Sequence, residues 1–292
     1  MTRGGHGDGA LSPALRIGEV VVAGIRSPVR EAGPTGSSEA VVFVHGNPGS
    51  GADWEALLPL VGRHGRAVAV DLPGFGQAGK PRDFDYSVRG YAGHLHAVLE
   101  ELGVERAHLV LHDFGGLWGL QWAADHPDAF RSVVLLGVGV LPGYRWHLYA
   151  RIWRTPVLGE LSMLTVARAP FRTALRAGHP RGLPRELLDR MFDDFDAGTR
   201  RAVLRLYRAT DDPGGLGVAL ADRLRALDRP ALVLWGAHDL YLPVRYAERQ
   251  REVFPRADVH VLGDSGHWLF ADAPDETARL VVPFLAAALA DQ

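Results

Sequence analysis

The sequence predicts an α/β protein: a mostly parallel sheet with helices on both faces and a helical cap inserted into it. Three observations predict this. Short, mostly apolar or β-branched runs at 40–44, 67–70, 109–111, 132–136, 230–235 and 259–262 alternate with helically spaced segments. Strands with no polar face lie in a sheet covered on both sides, which is how parallel sheets are built. From 141 to about 225 the strand signals vanish, and helical segments broken by Pro156, Pro170, Pro180 and Pro184 follow one another. Finally, several of the apolar runs end in short loops rich in Gly and polar residues, where open α/β sheets bind ligands.

In order along the chain, residues 1–14 are Gly-rich and polar and read as a loose tail. Residues 17–25 read as a first edge strand, and 26–38 as Gly/Pro/Ser punctuation. The buried strand 40–44 ends in His45-Gly46-Asn47-Pro48-Gly49, and a helix is expected near Ala52 with Asp53 in its first turn. The strand 67–70 is followed by Asp71-Leu72-Pro73-Gly74-Phe75-Gly76. Residues 86–102 have helical spacing, with Gly103 as the stop. A strand then runs into Asp113, a helix extends to His126, and a strand covers 132–136. After the cap come the strand 230–235, a helix over 244–254, the strand 259–262 and a last helix from about Asp275. The expected organisation is a tail (1–14), a core (15–140 and 226–292) and a cap (141–225).

Composition narrows the function classes. The chain has 292 residues, a formal net charge of −2 and no cysteine. A near-neutral chain offers no electrostatic case for nucleic acid or an anionic membrane. Without cysteine there is no disulfide, thiolate chemistry or thiolate-bound metal. No apolar run reaches the length of a membrane span, and residues 1–14 lack the apolar core of a signal peptide. The expectation is a soluble cytoplasmic protein, with a homodimer the one self-association allowed for. No G-x-G-x-x-G opens a helix, so no dinucleotide cofactor is expected. His94 and His96 are two apart and do not share a helix face, so no metal is expected.

The chemistry centres on Leu109-Val110-Leu111-His112-Asp113-Phe114-Gly115-Gly116. This is strand, sharp turn, helix, with Asp113 at the tip, where the backbone is strained and the side chain is pushed out of the sheet. Two later strands end in polar loops: Gly236-Ala237-His238-Asp239 and Gly263-Asp264-Ser265-Gly266-His267. Asp113, Asp239 and His267 thus follow in the order nucleophile, acid, base. Asp71 and its loop, and Ser265, read as structural.

On these motifs the chain resembles the α/β-hydrolases of the aspartate-nucleophile branch, that of epoxide hydrolases and haloalkane dehalogenases. The resemblance covers nearly all of the chain after the tail. It implies an α/β-hydrolase fold and an oxyanion hole from the backbone N–H groups of Asn47 and Phe114. A carboxylate is ionised at pH 7 and can attack a saturated carbon without a base. The ester on Asp113 would then be hydrolysed by water that His267 deprotonates, with Asp239 steadying the imidazole.

The leaving group stays open between two branches. Haloalkane dehalogenases commonly carry Trp after the nucleophile, and this chain has Phe114; Asn47 does match one dehalogenase subgroup. Epoxide hydrolases often have His before the nucleophile, as His112 stands here, and draw donors from the cap. Leu206-Tyr207-Arg208 resembles their Tyr-Arg segment, so Tyr207 is the first choice of donor. Trp153, Trp146 and Tyr149 are the other candidates. An epoxide hydrolase acting on a hydrophobic or aromatic epoxide is expected, with a dehalogenase as the alternative and a non-catalytic binding protein on the same fold as a third reading. Residues 141–212 hold 13 Arg against 8 Asp and Glu, a hint of an anionic or polyphenolic substrate.

Overall fold

A computed structural model describes residues 13–290; most of the expected tail lies outside the described residues. The chain opens with β1 (Arg16–Val22), β2 (Ile25–Ala32) and β3 (Glu39–Val44), then a short α1 (Leu58–Val61) and β4 (Arg66–Val70). Next come α2 (Val88–Glu101), β5 (Arg106–His112), α3 (Phe114–Asp125) and β6 (Phe130–Leu136). Six helices separate β6 from the next strand: α4 (Leu148–Arg154), α5 (Leu158–Leu164), α6 (Arg168–Arg176), α7 (Arg185–Asp194), α8 (Ala197–Ala209) and α9 (Pro213–Arg225). The chain closes with β7 (Ala231–Gly236), β8 (Asp258–Leu262), α10 (Leu269–Asp272) and α11 (Pro274–Ala290).

The eight strands form one sheet in the order β1-β2-β4-β3-β5-β6-β7-β8. β1/β2 and β2/β4 are antiparallel, and every other pair is parallel. Successive side chains go to opposite faces of a strand, and here both faces are core. Val42, Val44, Leu109, Leu111, Val133, Leu135, Val233 and Trp235 pack on one side with α2, α3 and α9. Val41, Phe43, Val110, Val134, Leu136, Leu232 and Leu234 pack on the other with α1, α10 and α11. This is why the strands read as unbroken apolar runs. The helix α2 starts after Ser87, whose hydroxyl accepts from Gly90 N at 3.1 Å. It stops at Gly103, which takes φ 66°. Gly103 N reaches Glu100 O and Val104 N reaches Leu99 O, the paired bonds of a glycine-terminated helix.

Three local expectations are corrected. Residues 26–38 are not mere punctuation, because β2 runs through them. Pro28 reads as a breaker, yet it sits opposite Glu19 of β1, and the ladder with β4 begins only at Val29. Within β2, Arg30 is tied to Glu55 at 2.9 Å and the buried Asp71 at 3.0 Å. Near Ala52 there is a 3-10 turn, Gly51–Trp54, rather than a long helix, and residues 244–254 hold two such turns.

Glycines around the β5–α3 turn permit its close contacts. A Cβ at Gly115 would lie 2.5 Å from Val44 O, and one at Gly93 on the exposed face of α2 would meet nothing. Gly115→Ala is therefore expected to lose about 1–3 kcal/mol of stability. Gly93→Ala should gain about 0.5–1 kcal/mol through helix propensity. Urea unfolding of the two variants checks both signs.

Candidate active site

Asp113 lies between β5 and α3 with φ 50° and ψ −126°, a conformation that L-residues rarely adopt. Three glycines allow it. A Cβ at Gly46 would fall 2.3 Å from the Cβ of Asp113, and a Cβ at Gly116 would fall 2.3 Å from Val138 Cγ2. Gly115 lets α3 pass the carbonyls of Val44 and His45. The turn exposes the carboxylate at the carboxyl end of the sheet.

The two oxygens of Asp113 have different neighbours. Oδ1 accepts from Asn47 N at 2.7 Å, and Oδ2 lies 3.4 Å from His267 Nε2. His267 Nδ1 lies 2.7 Å from Asp239 Oδ2. The other oxygen of Asp239 accepts from the backbone N–H of Tyr241 and of Leu242, both at 2.8 Å. Those bonds orient Asp239 toward the imidazole. Phe114 N opens α3, so it has no acceptor within the helix. His112 donates from Nε2 to His267 O at 3.0 Å, which fixes the loop from the core side.

Burial alone would raise the pKa of Asp113. The hydrogen bond and charge of His267, with the Asn47 N–H, outweigh it and hold the carboxyl at about 2. Burial would likewise lower His267, but the charges and hydrogen bonds of Asp239 and Asp113 lift it to about 10. The free protein thus carries an imidazolium between two carboxylates. His112 goes the other way: burial, then the charge of His267, push it to about 3, so it stays neutral.

A cavity of about 300 Å³ opens over this group, between the strand ends and the helices that follow β6. Asp113 and His267 line it with Tyr149, Trp153, Tyr207, Tyr241, Phe171 and other mainly apolar side chains. No Arg or Lys among the described residues lines it. The arginines of 141–212 therefore give no support to an anionic substrate.

The candidate donors are placed unequally. Tyr207 on α8 is buried, with its hydroxyl 3.5 Å from Asn47 Nδ2 and its ring 4.9 Å from that of Phe114. Burial, then the charge of Asp113, raise its pKa well above 10. The Trp153 ring lies 5.0 Å from that of Tyr207, and its indole N–H has no acceptor among the described residues. Tyr149 stacks on Trp153 and is 44 % exposed. Trp146 differs: its indole N–H is spent on Thr210 O at 3.2 Å, and its ring packs behind Phe114.

His147 had escaped sequence reasoning. It caps α4, its Nδ1 accepting from Ala150 N at 3.3 Å, so the proton of the neutral ring sits on Nε2. Burial keeps it neutral, at about 4. It lines the cavity, with no other hydrogen-bond partner among the described residues. Its signal was a His just ahead of a helix, between two aromatic candidates. Tyr241, 5.1 Å from the His267 ring, was also missed.

The surrounding loops act as supports. Asp71 accepts from Gly51 N and Gln77 N, each at 2.8 Å, and Leu72 N donates to His45 Nε2. Arg190 of α7 bridges to Ser50 Oγ at 2.8 Å and Asp53 Oδ1 at 2.6 Å, tying the helical segment to the Asn47 loop. No helix among the described residues is long and apolar enough to cross a membrane.

A strained acidic tip after the central strand, facing a His–Asp pair on later strand ends, defines a hydrolase class. The profile of the α/β hydrolase fold matches residues 39–274, and this chain belongs to that family. It is 29% identical to a 2-hydroxy-6-oxo-2,4-heptadienoate hydrolase of Pseudomonas putida, over 93% of this chain and 97% of that one. Its structure is similar to that of a haloalkane dehalogenase from Bradyrhizobium elkani, with a TM-score of 0.83 and 27% identity, covering 96% of this chain and all of that one. It is also similar to an epoxide hydrolase solved without ligand, at a TM-score of 0.80, covering 94% of this chain and 99% of that one; at 18% identity that likeness concerns the fold alone. The fold is thus the α/β-hydrolase fold, and the likeness to the haloalkane dehalogenase fits the aspartate-nucleophile branch.

Asp113→Ala removes one of the two carboxylates that hold the His267 proton. The imidazole is expected to titrate at lower pH in this variant than in the wild type, as NMR of the ring protons would report.

Proposed function

We propose that this protein opens an epoxide through an alkyl ester on Asp113, which water activated by His267 then hydrolyses. The observation that carries the epoxide reading is the pair of donors in the cavity: the Tyr207 hydroxyl, and beside it the N–H of a neutral His147, their rings 6.1 Å apart. An opening epoxide develops negative charge on oxygen and needs such donors. In this reading the helices within 141–225 form the cap, Asn47 and Phe114 supply the oxyanion hole, and the apolar cavity takes an uncharged hydrophobic or aromatic epoxide.

Asp113 Oδ2 attacks an epoxide carbon, the carbon–oxygen bond breaks, and the new alkoxide is hydrogen-bonded and protonated from Tyr207 or His147. The attack cancels the charge of Asp113, so His267 loses one of the two carboxylates that raise it. The proton that His267 gives up matches the one the alkoxide takes. Neutral His267 then accepts a proton from water through Nε2, and the hydroxide attacks Asp113 Cγ. The oxyanion forms on Oδ1, already against Asn47 N at 2.7 Å. Collapse leaves Asp113 as the carboxylic acid while the departing diol oxygen takes the proton from His267, and the acid proton then passes to His267 Nε2, which restores the carboxylate and the imidazolium.

A second reading has a specific observation behind it. Asn47 Nδ2 and the unpaired indole N–H of Trp153 are donors that could receive a halide, and the resemblance to a haloalkane dehalogenase agrees. The same ester would form, with halide released in place of the alkoxide.

Two experiments test the shared ester chemistry, and the second separates the two readings. Asp113→Ala should abolish turnover while the fold persists. His267→Gln should still form the ester but not hydrolyse it. Its intact mass should rise by the full mass of an epoxide, or by the substrate mass less hydrogen halide for a haloalkane; an unmodified protein with a substrate that the wild type turns over would count against covalent catalysis.

Tyr207→Phe should slow ester formation by about 10²–10³, or about 2–4 kcal/mol, and affect ester hydrolysis much less. The measurement is single-turnover kinetics with a styrene-oxide-like epoxide and a bromoalkane. Bromide release with the epoxide untouched would replace the epoxide reading with the dehalogenase one.

A further inference from the structure

The loop that carries His267 is held from two sides. On the core side, the buried Asp272 of α10 accepts from Ser265 Oγ and from Gly266 N at 2.7 Å. On the other side is His179, in the loop between α6 and α7, with its side chain buried. His179 Nε2 accepts from Trp268 N, the residue after His267, at 3.2 Å. The rings of His179 and Trp268 lie 5.3 Å apart. The two loops touch closely, since a Cβ at Gly266 would fall 2.2 Å from Gly178 O and 2.6 Å from the His179 ring.

The bonds of His179 select one protonation state. Nδ1 faces the carbonyl of Ala177 at 3.2 Å and must carry the proton there. Nε2 faces an N–H and must present its lone pair. Both bonds exist only in the neutral ring. A second proton on Nε2 would set donor against donor at Trp268 N. It would find its acceptor instead in Asp272 Oδ2, 3.9 Å away. The charged groups facing His179 are Asp272, His267 and Asp239; burial, the largest influence, lowers its pKa and favours the neutral ring.

We propose that His179 is a positioning residue: in its neutral form it holds Trp268 N, and so sets His267 against Asp113 and the hydrolytic water from the helical segment. The proposal rests on His267 being the base of ester hydrolysis. Ester formation should hardly depend on His179, because Asp113 attacks without a base and is held by Asn47 N.

The test compares His179→Leu, which lacks the acceptor, with His179→Gln, whose amide oxygen can accept from Trp268 N. Each is followed by single-turnover kinetics with a styrene-oxide-like epoxide. Ester hydrolysis should fall about tenfold or more in the Leu variant and recover largely in the Gln variant, with ester formation near wild type in both. In the wild type, ester hydrolysis should weaken at acid pH as His179 gains its second proton, and that contribution should be missing from the Gln variant.

The free protein supplies an independent reading: the Trp268 amide should exchange faster, and the His267 ring should shift in NMR, in the Leu variant but not in the Gln variant. Folded Leu variant with wild-type amide exchange and His267 resonances would overturn the proposal even if no ester ever forms. Absence of any ester in wild type and variants alike, with the NMR changes present, would overturn the functional reading and leave the positioning contact standing.

Discussion

The turn at Asp113 is the constraint on which the rest of the site depends. A non-glycine residue at φ 50° costs on the order of 1–3 kcal/mol and persists only where its surroundings over-determine it. Here the surroundings are backbone and the Val138 side chain. The Asn47 loop approaches through Gly46, α3 approaches through Gly115, and Val138 fills the space beside Gly116. A straighter turn would keep the same residues but swing the carboxylate away from Asn47 N and His267 Nε2. The α/β core, with apolar strands packed on both faces, supplies the rigidity that keeps the tip in place.

Among the buried and half-buried histidines around this site, His267 is charged, and His112, His147 and His179 are neutral. His267 has a carboxylate at each ring nitrogen, which offsets the cost of burying its charge. His112, His147 and His179 each have burial as the leading influence, and each makes hydrogen bonds suited to a neutral ring. His112 and His179 brace the His267 loop from opposite sides, and His147 caps a helix while facing the cavity. One mobile proton is thereby confined to the place where the proposed chemistry uses it.

The contacts of the arginines in the helical segment explain why a cationic stretch surrounds a cavity lined by no Arg or Lys among the described residues. Arg154 binds Thr210 O at 2.6 Å, Arg200 binds Met163 O at 2.9 Å, and Arg201 binds Lys80 O at 3.0 Å. Arg190 reaches the Asn47 loop, and Arg208 pairs with Glu160. They join helix to helix and helix to core, and none of them lines the cavity. Counting charges in the sequence could not reveal this, because a guanidinium spent on a carbonyl and one aimed at a substrate look the same there.

Local patterns made much of the molecule legible in sequence. Two buried faces produce unbroken apolar runs, a strained tip needs glycines beside it, and strand ends of a parallel sheet gather polar residues from distant parts of the chain. Asp113, Asp239 and His267 could be singled out on that basis, and the structure brings them within reach of one another. What had to wait were features decided across the chain. The prolines, glycines and serines of 26–38 argued against a strand until Pro28 was seen paired with Glu19 of β1. Trp146 and His147 are neighbours, yet one indole turns to Thr210 and the other ring turns to the cavity. That choice depends on how α4 packs against α8, which no local pattern encodes. The sequence by itself determined the sheet, the tip and the chemistry that an aspartate can perform there, because these follow from nearest neighbours along the chain. Only the tertiary structure decided which donors face Asp113 and which histidines brace His267, because those follow from side chains tens of residues apart competing for the same buried partners.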